Sequence, residues 1–464
     1  MSSASKRSFV FASIFLLVIS AAPVALAQVQ FVGLGDSIGE GVQSADANEA
    51  TQHFSYLNLI SLHVGTPFPL PLIRTSFFAM VGDTSSRFRI APGVASLDLA
   101  VSGADVFSLL NDRADATTVA QINSETDLVL FPRLGSQMEI AESLRPTLVA
   151  CWIGNNDVLG AVTAFDQMDV SQMTSVADFY NNFLQIAARL KAMNSKVVFG
   201  TIPDVSRIGF LLDRTDLIRL LGSDFGMPET SRTSVVAMLM IGLGLADPSI
   251  LQNPSYVLDA TELSMISQRI TIFNQIITGG AASYGHHVAD IHGRFEQFGV
   301  NPPVVFGIPL TNKFLGGLFS LDGVHPSNIA HAFVANEFIT TFNASYGLSI
   351  PLIDPSLLTH LFITDPFVDL NRNGRVRGRP FAGLLETVAL FLGFSGDTET
   401  FPLTATSSQA PSASAGLLIT PAGKKKFLDE YEKMKGKDLT KASPQEVRDA
   451  FREIFGLDRF RKKR

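Results

Sequence analysis

Residues 31–41 read FVGLGDSIGEG, from Phe31 to Gly41. Phe31 to Leu34 are apolar or small and suit a buried strand, whereas Asp36 and Ser37 begin a polar turn followed by two more glycines. No bulky side chain fits in that turn. A tight turn alone explains the glycines. A nucleophile held at the edge of a sheet explains the glycines and the serine together, and the rest of the chain decides between the two.

Four more short apolar runs, at residues 97–101, 148–153, 197–202 and 288–291, have the length and composition of buried strands. Between them, Phe179, Phe183, Ile186 and Leu190 fall on one helical face, and Leu263, Ile266, Ile270, Phe273 and Ile277 fall on another. A further helix is expected after Pro326, over residues 327–342. Strands alternating with helices predict a parallel sheet with helices on both faces, an α/β sandwich. In such sheets ligands bind beyond the carboxyl ends of the strands. The residues found there are Ser37 after the first run, Ser102-Gly103-Ala104-Asp105 after the second and Gly154-Asn155-Asn156-Asp157 after the third. Asp322-Gly323-Val324-His325 precedes the late helix.

The chain has 464 residues, 36 Lys and Arg against 43 Asp and Glu, and a single cysteine. This mildly acidic balance argues against nucleic acid as a partner. Lys6 and Arg7, an apolar run over residues 9–19 and Ala25-Leu26-Ala27 have the layout of a secretory signal peptide. Cleavage is expected after Ala27, with a mature start at Gln28 and a secreted or periplasmic destination. Cys151 lies in an apolar run and cannot form an intramolecular disulfide, so a buried core residue is expected. His286 and His287 are neighbours on a strand, point to opposite faces and do not suit shared metal coordination.

A serine hydroxyl needs a base to take its proton, and the base needs a partner that fixes its tautomer. His325 suits the base and Asp322 the partner. The Ser37 N–H, the Gly103 N–H and the Asn156 side-chain amide suit the donors that a tetrahedral oxyanion requires. Asp36 reads as a cap within the turn and Asp157 as a brace of its own loop. This chemistry calls for no metal and no cofactor.

Over residues 29–346 the chain resembles the SGNH hydrolases, also called GDSL lipases and esterases. Gly35-Asp36-Ser37-Ile38 matches the first block, with Ile38 in place of leucine; residues 99–104 resemble the second, with Gly103 as its oxyanion glycine. Gly154-Asn155-Asn156-Asp157 fits the third, which gives Asn156 the oxyanion role, and Asp322-Gly323-Val324-His325 matches the last. The resemblance implies a three-layer α/β/α sandwich on a parallel, flavodoxin-like five-stranded sheet, a serine hydrolase without a metal, and ester substrates.

These signals predict a signal peptide at 1–27 and a hydrolase domain at 28–348. Inside the domain an apolar insertion at 207–258 is expected, either as an extra buried helix that thickens the core or, with Met238 and Met240 as walls, as a lid or tunnel for an acyl chain. A small helical appendage is expected at 349–403, a flexible linker at 404–416 and a basic helical tail at 417–464. In the appendage, Asp369, Asn371, Asn373 and Gly374 resemble the start of a calcium loop. Position twelve is Pro380 and Arg375 and Arg377 lie nearby, which favours a polar turn without metal. In the tail, Thr420-Pro421 and Ser443-Pro444 look like helix starts, and fourteen Lys or Arg against eight Asp or Glu from residue 423 onward suggest a solvated pair, with contact to an anionic surface as the sharper expectation. The expected function is hydrolysis of a small-molecule or lipid ester. A carbohydrate O-acetylesterase is the alternative within the class, and a non-catalytic acyl- or glycan-binding protein is the alternative outside it.

Overall fold

The computed structural model of the chain describes residues 30–75, 87–379, 383–398 and 419–457. The expected signal peptide, the linker and Pro380 lie outside them. The central sheet contains β1 (Phe31–Gly35), β2 (Leu148–Trp152), β3 (Lys196–Gly200) and β4 (His287–Ala289), all parallel and in the order β1-β2-β3-β4. Phe31 pairs with Leu148 and Gly35 with Trp152, so the ends of β1 and β2 are level.

The fifth position belongs to residues 97–101. Gly33 donates to the Leu97 carbonyl at 3.1 Å, and Leu99 and Val101 donate to the Gly33 and Gly35 carbonyls at 2.9 and 3.2 Å. This segment runs parallel to β1 through one bridge, Gly33 to Asp98. Counted as the second strand in chain order, it gives the order 2-1-3-4-5, the flavodoxin-like arrangement that places ligands where the order reverses.

The helices used below are α1 (Ser37–Glu40), α2 (Tyr56–Val64), α3 (Asn156–Thr163), α4 (Val176–Ala192), α5 (Val235–Gly242), α6 (Ala260–Ser283), α7 (Asn328–Tyr346), α8 (Leu384–Leu392), α9 (Pro421–Lys435) and α10 (Pro444–Ile454). Helix α4 packs on α6 and α2 packs on α7, with the sheet between the two pairs. The expected stripe on α4 is buried, and its Phe179 stacks on Phe273 of α6 with ring centroids 3.8 Å apart. Each such phenylalanine contributes about 2–3 kcal/mol of burial. On the other pair, Tyr56 lies against Phe338 of α7 and meets Trp152 edge-on. Among the described residues no helix is long and apolar enough to cross a membrane.

The apolar insertion reaches the pocket at Ser37 through Ile208 and departs from the lid reading at its methionines. It forms a three-stranded antiparallel sheet (Leu211–Leu212, Arg232–Ser234, Val257–Leu258) that leads into α5. Met238 and Met240 are 1% and 3% exposed, and neither lines the pocket at Ser37. Leu221 and Ile419 close over Gly242 at the end of α5. The helix is apolar all round because it is covered all round.

The tail also differs from a solvated pair. Thr420 and Ser443 cap α9 and α10 as their sequence signals require, Ser443 in a capping box with Glu446. Phe427, Tyr431, Val447, Phe451 and Ile454 are nevertheless buried. In the appendage, the Asp369 carboxylate accepts the Asn373 and Gly374 N–H groups, and the Asn371 and Asn373 side-chain amides donate to Asp397. That loop is a hydrogen-bonded polar turn.

Candidate active site

Strand β1 ends at Gly35, where Gln137 exchanges two hydrogen bonds with its backbone at 2.9 and 3.0 Å. Asp36 then caps α1. One carboxylate oxygen accepts the Ile38 N–H at 3.0 Å, and the other accepts the Asn155 side-chain amide at 2.8 Å. Helix α1 is a single turn closed by Gly41, so the Ser37 side chain stands at the sheet edge on a backbone fixed from both sides. Burial raises the Asp36 carboxyl to about 6, although Asn155, the Ile38 N–H and His325 pull it back down.

Ser37, His325 and Asp322 form one hydrogen-bonded chain. The Ser37 Oγ lies 2.8 Å from His325 Nε2, and His325 Nδ1 lies 2.7 Å from Asp322 Oδ2. All three are nearly enclosed, at 3%, 2% and 3% exposed. Burial pushes the Asp322 carboxyl up, but the His325 charge and hydrogen bonds from His325 and Val324 outweigh it and hold the group below its usual value. Ala45 N–H donates to it as well, at 2.8 Å. An ionised Asp322 fixes the Nδ1–H tautomer and leaves Nε2 to accept the serine proton. The loop that carries both residues depends on Gly323. Its φ is +70°, and a Cβ there would lie 2.5 Å from the Phe210 nitrogen.

The second and third blocks meet beside the serine. Gly103 has φ +80°, and among the described residues no partner accepts its N–H or that of Ser37. Asn156 opens α3, and its amide donates to the Ala104 carbonyl at 2.8 Å. This bond ties the third block to the second and leaves one more amide hydrogen. Asp157 accepts the Val106 N–H at 3.1 Å, which ties the third block to the helix after the second rather than bracing its own loop.

Several contributors were missed by reasoning from the sequence. Glu40 accepts both the N–H and the hydroxyl of Ser102 at 2.6 Å, and so anchors the residue that precedes Gly103. Its own carboxyl is raised by burial and by the Glu125 charge, with Arg87 and Ser102 opposing. Glu40 follows Ser37 by three positions on one helical turn, a detectable signal. Arg379, from the appendage, lies between the Phe54 and Phe367 rings and donates to Gln43 and Asn328 behind the histidine loop. No local pattern announces it. His331 is buried nearby; burial, then the His325 and Arg379 charges, depress it to about 3, so it is neutral.

Two compartments open at Ser37. The larger, about 430 Å³ counting space open to solvent, is walled by Ile38, Trp152, Leu159, Ile208 and Phe319 among others, with Asn155 also in its lining. The smaller, about 210 Å³, is bounded by Ser102, His325, Phe455 and Gly456. Cys151 is fully buried and its thiol is pushed up by that burial, as expected of a core residue. His286 bonds the Ala187 carbonyl while His287 meets the Tyr346 ring, on the opposite face. Among the described residues no group of three or more His, Cys, Asp or Glu is placed to hold a metal ion.

The GDSL-like lipase/acylhydrolase family matches residues 31–338. No curated protein matches the chain. Among solved structures, the chain is similar to LAE5, an alpha/beta hydrolase enzyme from the metagenome of Lake Arreo, Spain, at 15% identity and a TM-score of 0.33 over 69% of this chain and 95% of that one. It is also similar to the acetyl xylan esterase AlAXEase, at 14% identity and a TM-score of 0.30 over 67% and 98%. The acetylxylan esterase Axe2 from Geobacillus stearothermophilus is similar at 12% identity and a TM-score of 0.32 over 69% and 96%.

Proposed function

Because the chain belongs to the GDSL-like lipase/acylhydrolase family and is therefore a carboxylic-ester hydrolase, we propose that it is an exported serine esterase whose acyl group is apolar and of medium or greater length. The carrying observation is the chain from Ser37 Oγ through His325 to Asp322, 2.8 and 2.7 Å per link, with Ser37 in the lining of a pocket walled mainly by apolar side chains.

In this reading His325 Nε2 takes the Ser37 proton as Oγ attacks the ester carbonyl carbon. The carbonyl oxygen becomes an oxyanion that receives the Ser37 N–H, the Gly103 N–H and the remaining Asn156 amide hydrogen. Collapse expels the alkoxide, His325 returns its proton to that oxygen, and an acyl-Ser37 ester remains. Water, deprotonated by the same imidazole, releases the acid and restores the serine. Asp322 stabilises the imidazolium in both halves.

The acyl chain enters between Ile38, Trp152, Ile208 and Phe319. Each methylene removed from water there is worth up to about 0.8 kcal/mol, so a few of them raise kcat/KM by tens-fold. Turnover of p-nitrophenyl acetate, butyrate, octanoate and palmitate tests this. Octanoate is expected to exceed acetate; acetate as the best substrate contradicts the acyl pocket and favours an O-acetylesterase. Export rests on the first 27 residues, and the mass of protein recovered outside the cytoplasm is expected to begin at Gln28.

A further inference from the structure

The C-terminal helix α10 runs into Phe455 and Gly456, more than 400 residues from Ser37 in sequence, yet both bound the smaller compartment at the serine. Phe455 is almost wholly buried. Its N–H donates to the Phe451 carbonyl at 3.0 Å, and Gly456, with φ +60°, turns the chain away immediately after it. The placement is held from the side. Arg452 contacts both oxygens of Asp166 at 2.7 Å, Arg448 reaches one of them at 3.3 Å, and the Arg452 guanidinium lies over the Phe165 ring. Asp166 lies just beyond α3, whose first residue is Asn156. The tail is therefore clamped to the turn that follows the helix opened by Asn156.

His325 decides which end of the ester meets this wall. An imidazolium must reach the leaving oxygen to protonate it. His325 lines the smaller compartment and not the larger. We infer that Phe455, carried by α10 and locked by the pairing of Arg452 and Arg448 with Asp166, is the wall of the leaving-group subsite and limits the size of alcohol accepted. The inference rests on the acyl-transfer reading of Ser37 and His325. It assigns the acyl and alcohol ends to different parts of the chain, with the acyl end in the hydrolase core and the alcohol end under the tail.

The test measures kcat/KM of the full mature protein on octanoate esters of methanol, butanol and benzyl alcohol by acid release. Wild type, Phe455→Ala, Phe455→Trp and Arg452→Gln are compared, with folding checked by thermal melting. Phe455→Ala is expected to raise the benzyl-to-methyl ratio about ten-fold or more, and Phe455→Trp to lower it. Arg452→Gln, which releases the clamp without emptying the wall, is expected to shift it in the direction of Phe455→Ala. The ranking of acyl lengths on methyl esters should stay that of wild type. An unmoved alcohol ratio in folded variants overturns the wall. An equal rise for all three alcohols overturns it in favour of a tail that merely covers the entrance. A fluorophosphonate probe on the same wild-type sample separates the two levels. Labelling with turnover but no change in alcohol ratio overturns only the wall; neither labelling nor turnover overturns the hydrolase reading and the wall with it.

Discussion

The two sides of Ser37 are built in different ways. The larger compartment is walled in part by residues of the strands or just after them, such as Ile38 after β1 and Trp152 in β2, together with Ile208 at the start of the insertion. The smaller is closed by Phe455, from a helix that reaches the site only through docking and a clamp on Asp166. A wall made at strand ends comes with the sheet. A wall made by an appended helix can change without disturbing the sheet, and it couples the site to everything that holds the helix down. On the proposed reading, the chemistry and the acyl side belong to the core, whereas selection on the alcohol side belongs to the appendages.

The largest expected effect lies where the two sides meet. Ser37→Ala and His325→Ala should each lower kcat by about 10⁴-fold or more in a folded protein, with the double variant little worse than either, because the members act as a unit. Steady-state kinetics with thermal melts check this, and additive losses would break the coupling between the two residues. Next in size is Asn156→Ala, expected to cost about 10²–10³ in kcat with a smaller change in KM. A change confined to KM would make Asn156 a binding residue for the ground state.

A smaller effect separates two parts of the insertion, Ile208 at the pocket and Met238 in the buried α5. Ile208→Trp should cut kcat/KM for octanoate about tens-fold while sparing acetate, since it removes space for a few methylenes. Met238→Ser, in the buried α5, should lower thermal stability and leave the chain-length profile alone. The reverse pattern would make the helix α5, not Ile208, the acyl wall.

The smallest effect concerns the appendage behind the histidine loop. Asp365 accepts the Ile329 N–H in the first turn of α7, and burial raises its carboxyl from 3.8 to about 6 against that bond and the Phe367 N–H. Between those values the unfolded chain holds fewer protons than the folded one, so this group's contribution to stability falls as pH rises from about 4 to about 6. The loss amounts to about 3 kcal/mol at most. Relative to Asp365→Asn, the wild-type melting temperature should fall by a few degrees across that window. Parallel curves would show that Asp365 is ionised in the folded protein.

Much of this was legible because the relevant signals are local. The glycine-ringed Ser37, the capped start of α10 and the stripe of Phe179, Phe183, Ile186 and Leu190 each lie within a few turns of chain. Residues 97–101 were recognisable as a strand by their apolar run, although they join β1 through only three backbone bonds. What escaped depends on partners far apart in sequence. Glu40 finds Ser102 sixty-two residues away. The tail's apolar positions Val447, Phe451 and Ile454 recur at helical spacing, but the Asp166 that pairs with Arg452 lies 286 residues away, and the surrounding lysines and arginines suggested solvent instead. The insertion's composition spoke of burial without saying against what.

The most direct test of the central claim is to react the mature protein with a fluorophosphonate and locate the adduct by tandem mass spectrometry. One adduct per chain on Ser37 is expected, abolished in Ser37→Ala and slowed by several orders of magnitude in His325→Ala. An adduct on another serine, or labelling of Ser37 that is indifferent to His325, would contradict the account.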